Sequence, residues 1–77
     1  MTVITKAGRK YDFYVDDAKQ FRVNGTPREL VVTDLLNLMV GEHLTIKGYL
    51  LNPLTLSPQT GLGKFTYTTS TISNIIP

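Results

Sequence analysis

The chain has no cysteine, a single histidine, and charged side chains at only 18% of its 77 positions. Without cysteine, a disulfide framework and a cysteine-ligated zinc site are both excluded. The low charge content argues against disorder driven by charge repulsion and points to a polar, threonine-rich surface in its place. No apolar run approaches the roughly 20 residues of a membrane span. The segment Met1 to Gly8 lacks the basic region and continuous apolar core of a signal peptide, so a cytoplasmic setting is expected, consistent with the missing cysteine. Net charge is +2, well short of the excess that marks a dedicated DNA-binding module.

What remains is an apolar share of 42% spread over a chain long enough for one domain, residues 1–77. A core that small supports marginal stability, on the order of 5 kcal/mol or slightly more. The stretch Gly41 to Leu51 organises the chain. Leu44, Ile46 and Leu50 alternate with His43, Thr45, Lys47 and Tyr49, the period-two pattern of a half-buried strand. Gly48 falls on the apolar side, where a missing side chain permits a bend or a bulge.

The same alternation recurs along the sequence. Thr2 to Thr5 reads as a short strand, Ala7-Gly8-Arg9 as a turn, and Lys10 to Val15 as a strand with Tyr11, Phe13 and Val15 on one face. Asp16-Asp17 ends that strand, because both side chains bond local backbone in turns. Gln20 to Val23 forms the next strand, with Phe21 and Val23 inward and Arg22 outward. Asn24-Gly25 is a hairpin signal, with Thr26-Pro27 able to lengthen the loop beyond two residues, and Arg28 to Val32 is the return strand, its face ambiguous because Leu30, Val31 and Val32 are consecutive. Thr33 as N-cap, the apolar spacing of Leu35, Leu36, Leu38 and Met39, and Gly41 just beyond predict a short helix over Asp34 to Val40. Asn52 to Gly63, with two prolines and two glycines, reads as a long loop. Lys64 to Thr69 and Ile72 to Ile76 are two final strands, separated by a break or bend at Ser70-Thr71.

Short antiparallel strands in a chain of this size close most economically into a small barrel, which also protects their edges. The expectation is therefore all-β: a small antiparallel β-barrel or strongly coiled sheet, SH3-like or OB-like, with one short helix. The expected core is Tyr11, Phe13, Phe21, Val23, Leu35, Leu38, Leu44, Ile46, Leu50, Phe65, Tyr67 and Ile72.

Catalytic signatures are missing. His43 stands beside Glu42 without the nucleophile and orienting group that a catalytic pair requires. Asp12, Asp16 and Asp17 lack the ligand spacing of a calcium loop and read as turn caps. Gly61-Leu62-Gly63-Lys64 is followed by Phe65 and a strand, not by the Ser or Thr and the helix of a phosphate loop. No catalytic residue, metal ligand or cofactor is assigned, and an enzyme is not expected. Two binding readings remain. The first is a non-catalytic protein-binding or assembly module, contacting another protein or itself through Leu54, Leu56 and Leu62 of the long loop together with Tyr14 and Tyr49. The second is a nucleic-acid-binding barrel of modest affinity, using Lys10, Arg22, Lys47 and Tyr49, where charge meets phosphate and rings meet bases. Neither implies a membrane or a small-molecule cofactor.

Ile46 lies at the middle of the best strand. Its truncation to alanine is expected to cost about 2–4 kcal/mol in denaturant unfolding through lost burial and a residual cavity. A loss below about 1 kcal/mol would mean that the opposite face of this strand is the buried one.

Overall fold

The computed structural model describes all residues from Met1 to Pro77 and contains six strands. They are β1 (Thr2–Thr5), β2 (Lys10–Val15), β3 (Phe21–Asn24), β4 (Leu30–Leu36), β5 (His43–Leu50) and β6 (Phe65–Ile76). Each strand pairs antiparallel with the next, and β6 pairs back onto β1, so the sheet closes in a ring. Short connections from β1 through β5 permit only antiparallel neighbours, and β5 and β6 pair antiparallel across a longer one. The all-β expectation holds.

The first turns behave as their residues dictate. Asp16 accepts the backbone N–H groups of Ala18 and Gln20, both at 2.9 Å. That fixes the β2–β3 turn and accounts for the carboxylate as a cap. The β3–β4 connection runs from Gly25 to Glu29, longer than a two-residue turn, as Thr26-Pro27 allowed.

The helix expected over Asp34 to Val40 does not form. Leu35 and Leu36 lie in β4, opposite Ile46 and Thr45 of β5. A lone two-turn helix is unstable, whereas the extended chain gains a ladder along β5. The helix-like spacing has a local cause. Between Val32 and Asp34 the pairing with β5 shifts by one residue at Thr33, which changes the phase of alternation. Beyond Leu36 the chain turns on two left-handed residues, Asn37 at φ 60° and Gly41 at φ 94°. The only helical piece is a 3-10 turn at Thr60–Leu62, inside the stretch read as loop.

The last 12 strand residues are also continuous, where two strands separated by a break were expected. Ser70-Thr71 does not interrupt the strand; a shift in pairing with β5 lies there instead. From His43 to Thr45 on β5, the partner on β6 moves from Thr71 to Thr68. A second shift lies where Ile4 and Thr5 of β1 face Asn74 and Ile72. The first half of β6 therefore serves β5, and the second half serves β1.

Val3, Tyr11, Phe13, Val23, Leu30, Val32, Leu44, Ile46 and Ile72 form the core, with Ile46 fully buried at its centre. Phe21, Leu35, Leu50 and Tyr67 pack on it half-buried. Two expected core residues are exposed. Leu38 falls in the β4–β5 loop rather than on a helix, and Phe65 opens the first turn of β6 at the ring's margin. Val15, expected on the inward face with Tyr11 and Phe13, is the last residue of β2 and is 62% exposed.

Gly48 is the closest approach in the sheet. A Cβ there would lie 2.2 Å from the carbonyl oxygen of Val31, and Gly48 faces Val32 at the edge of the Thr33 bulge. The absence of a side chain is what lets β4 cross β5 at this point. Gly48→Ala is expected to destabilise by about 1–3 kcal/mol in urea or guanidinium unfolding, through overpacking against backbone that cannot step aside. A change within about 0.5 kcal/mol would show that the strands separate freely there.

Candidate functional site

His43 opens β5 opposite the bulge in β6. Its Nδ1 donates to the carbonyl oxygen of Thr69 at 2.9 Å. Beside it, the Leu44 backbone N–H donates to Thr69 Oγ1 at 3.2 Å, and that hydroxyl donates in turn to the carbonyl of Ser70 at 2.7 Å. A bulge removes ladder partners from its neighbours. Here side chains replace them, so the imidazole serves the sheet's hydrogen bonding. No group of three or more His, Cys, Asp and Glu side chains stands close enough together to hold a metal ion.

Arg22, one of the residues proposed for nucleic acid, points away from the core yet is only 8% exposed. Its Nε donates to the carbonyl of Leu30 at 3.2 Å. Its terminal nitrogens lie 3.3 Å from Asp16 and 3.5 Å from Glu29. The bond to the Gln20 N–H, foremost, and the Arg22 guanidinium hold the Asp16 carboxyl below its ordinary range. The guanidinium is thereby neutralised and spent on joining β3 to β4, which share only one residue pair, Arg22 and Val31.

Lys47 and Tyr49 lie on the outer face of β5, half-buried, and Lys10 is exposed on β2. Lys47 faces Asp34 across the strand pair. Asp34 in turn accepts from Lys64 at 3.0 Å, and the Lys64 ammonium lies 5.9 Å from the centre of the Tyr49 ring. The Thr33 hydroxyl first, then Lys64, depress the Asp34 carboxyl; its bond to Asp34 raises the Lys64 ammonium. Asp34 is thus paired with Lys64, and Lys47, its cross-strand neighbour, forms no ion pair of its own. Tyr14 sits on β2 opposite Arg22, with its ring partly exposed.

The Asn52–Gly63 loop is built rather than loose. Asn52 Oδ1 accepts the N–H groups of Leu54 and Thr55, and the backbone of Asn52 bonds to both Leu56 and Ser57. Its base is pinned where Leu51 bridges to Pro58 and Gln59 donates to the carbonyl of Leu50 at 2.8 Å. Gln20 Nε2 holds the Leu56 carbonyl at 2.8 Å. Only Leu51 turns inward. Leu54 is 92% exposed, and Leu56 and Leu62 are each 60% exposed.

Two surfaces escaped the sequence reading. One is an open cleft of about 210 Å³ whose walls include Pro27, Arg28, Leu30, Leu50, Phe65 and Tyr67. It exists because Phe65 lies at the margin of the ring and not in the core. The other is the β4–β5 loop, where Leu36, Leu38, Met39 and Val40 are exposed together. The signal for it was Asn37, a turn former in the middle of the apolar run.

Compared with family models, with curated proteins and with solved structures, the chain matches none.

Behind the cleft, the buried Tyr11 hydroxyl pairs with the Tyr67 hydroxyl at 3.1 Å, their rings tilted at 55° with centroids 6.0 Å apart. Burial first, then the hydrogen bond with Tyr67, push the Tyr11 phenol up to about 12 from 10.0. Unfolded, Tyr11 releases its proton near pH 10; folded, it keeps the proton until about pH 12. The unfolded chain therefore binds fewer protons in this window. The stabilisation from the neutral phenol is complete below pH 10 and is lost as pH rises through 12. The expected slope is a loss of about 1.4 kcal/mol per pH unit between those limits. It is measured as the difference between the parent and Tyr11→Phe in urea unfolding at stepped pH. Identical slopes in the two proteins would refute the shift.

Proposed function

We propose that the protein is a non-catalytic protein-binding or assembly module that makes contact through its Asn52–Gly63 loop. The observation that carries this reading is Leu54, 92% exposed at the tip of a turn organised by Asn52. A small domain does not ordinarily hold apolar side chains in solvent on an ordered scaffold without a surface to receive them. The order matters energetically, because a preformed loop has less conformational entropy left to lose on binding. Full burial of one leucine contributes about 1.5–3 kcal/mol, so Leu54, Leu56 and Leu62 together support a modest interface. Tyr14 and Tyr49 are the aromatic residues that would extend it.

The ring is proposed to be an SH3-like small barrel. Pairing in unbroken chain order supports that topology over an OB-like one, whose Greek-key path returns a strand out of sequence. A cytoplasmic setting, with a protein or a second copy as partner and no cofactor, accords with the absence of cysteine. Nucleic acid is the weaker alternative. Arg22 is enclosed by carboxylates, which leaves Lys10, Lys47 and Tyr49 to make such a contact.

The test replaces Leu54, Leu56 and Leu62 with serine and measures unfolding stability, solution mass and partner capture. Because all three are exposed, stability is expected to stay within about 1 kcal/mol of the parent while the contact made through the loop, read as partner capture, is lost. A large stability loss in a protein that is monomeric and partnerless throughout would defeat the contact role. Titration with labelled single-stranded DNA and RNA at low salt checks the alternative, since electrostatic binding is strongest there.

A further inference from the structure

The ring has one incompletely paired seam. Opposite β4, strand β3 offers Arg22 to Val31 and nothing more. Continuing that register would place Gln20 opposite Thr33. Both backbone groups of Gln20 are already committed to the β2–β3 turn, its N–H to Asp16 Oδ1 and its carbonyl to the Asp16 N–H. On its other side, β4 is laddered to β5 through Asp34, Leu35 and Leu36. The side of β4 that faces away from β5 is therefore a free strand edge from Thr33 to Leu36.

Protein edges are commonly guarded by lysine, proline or an inward-pointing charge. This segment has no lysine and no proline. The Thr33 bulge closes it at one end only. Its single charge, Asp34, is neutralised within the chain by Lys64 at 3.0 Å. Two such edges brought together thus meet without bare like charges. Leu36 and the adjoining Leu38, Met39 and Val40 extend the edge as an exposed apolar strip.

We propose that this edge pairs antiparallel, across a two-fold axis, with the same edge of a second copy. Antiparallel pairing about a two-fold is self-complementary, so one edge supplies both halves of the interface. The same operation brings the two apolar strips toward each other. The available area sets the strength. A specific interface needs at least about 600 Å² per copy, roughly an eighth of the chain's 4787 Å² surface. Thr33 to Val40 are eight of 77 residues, and none of them is buried. Eight of 77 residues are about a tenth of the chain, short of that eighth, which makes the dimer weak and reversible. The apolar strip from Leu36 to Val40 runs toward the His43 end of β5, whereas the Asn52–Gly63 loop leaves from the Leu50 end. Leu54, Leu56 and Leu62 take no part in the pairing, so the dimer does not depend on the loop's proposed role.

Sedimentation equilibrium from about 10 μM to 1 mM, with amide hydrogen exchange at both ends of the range, tests the proposal. Expected is a monomer–dimer equilibrium with exchange at Thr33–Leu36 slowed as concentration rises. The double variant Leu36→Lys, Met39→Lys should weaken dimerisation at least tenfold with an unchanged unfolding transition. The Leu54, Leu56, Leu62→Ser protein should dimerise as the parent does, which separates this interface from the loop contact. A protein monomeric at 1 mM would overturn the proposal, as would concentration-dependent protection that maps elsewhere. The exchange measurement on the parent decides the matter even if the lysine variant fails to fold.

Discussion

Closure of the ring depends on β6 holding two neighbours in succession. A sheet closes only when its strands tilt and their register staggers, and in this chain one 12-residue strand supplies the transfer. It leaves β5 and takes up β1 at the point where its pairing shifts. The shift disrupts the ladder, and Thr69 and His43 repair it with side-chain bonds to backbone. No buried side-chain polar atom is left without a partner. The threonine and the lone histidine thus belong to the architecture, and Thr69 is buried because the bend it satisfies is buried.

The opposite seam is held differently. Where β3 and β4 share a single backbone pair, the Arg22 guanidinium reaches the Leu30 carbonyl and two carboxylates. A side chain that looked like surface charge in the alternation of β3 is a strap across the narrowest join. Pairing an enclosed cation with carboxylates offsets its desolvation but adds modestly at best to stability. Its effect is on which strands adjoin, while most of the stability comes from the apolar set around Ile46.

Most of this architecture was legible in the sequence, and the misreadings share a cause. Strands with simple alternation, Lys10–Val15 and His43–Leu50, were found with their faces correct at Tyr11, Phe13, Leu44 and Ile46. Gly48 announced the bend it permits. Wherever a bulge changes phase, the pattern misled. The shift at Thr33 turned Leu35 to Met39 into an apparent helical stripe, and the shifts in β6 made one strand look like two. A bulge depends on which residues of the partner strand stand opposite, and that information is absent from local periodicity. Of the candidate site, the exposed leucines of the loop were visible as apolar residues outside any period. The cleft beside Phe65 and the free side of β4 were not, since both arise from where other strands stop.

The pairing of β1 with β6 carries a kinetic consequence. Thr2 stands opposite Ile76, and the Ser73 hydroxyl reaches the Ile4 carbonyl across 69 positions of sequence. The β4–β5 hairpin, by contrast, closes over the short Asn37–Glu42 connection. The entropy of joining distant segments must be spent before their contacts return anything. The closure entropy therefore falls most heavily on the β1–β6 pairing, whose partners are the most distant in sequence. Without that pairing, β1 and β6 would each present an unpaired edge, the kind of edge to which another chain adds.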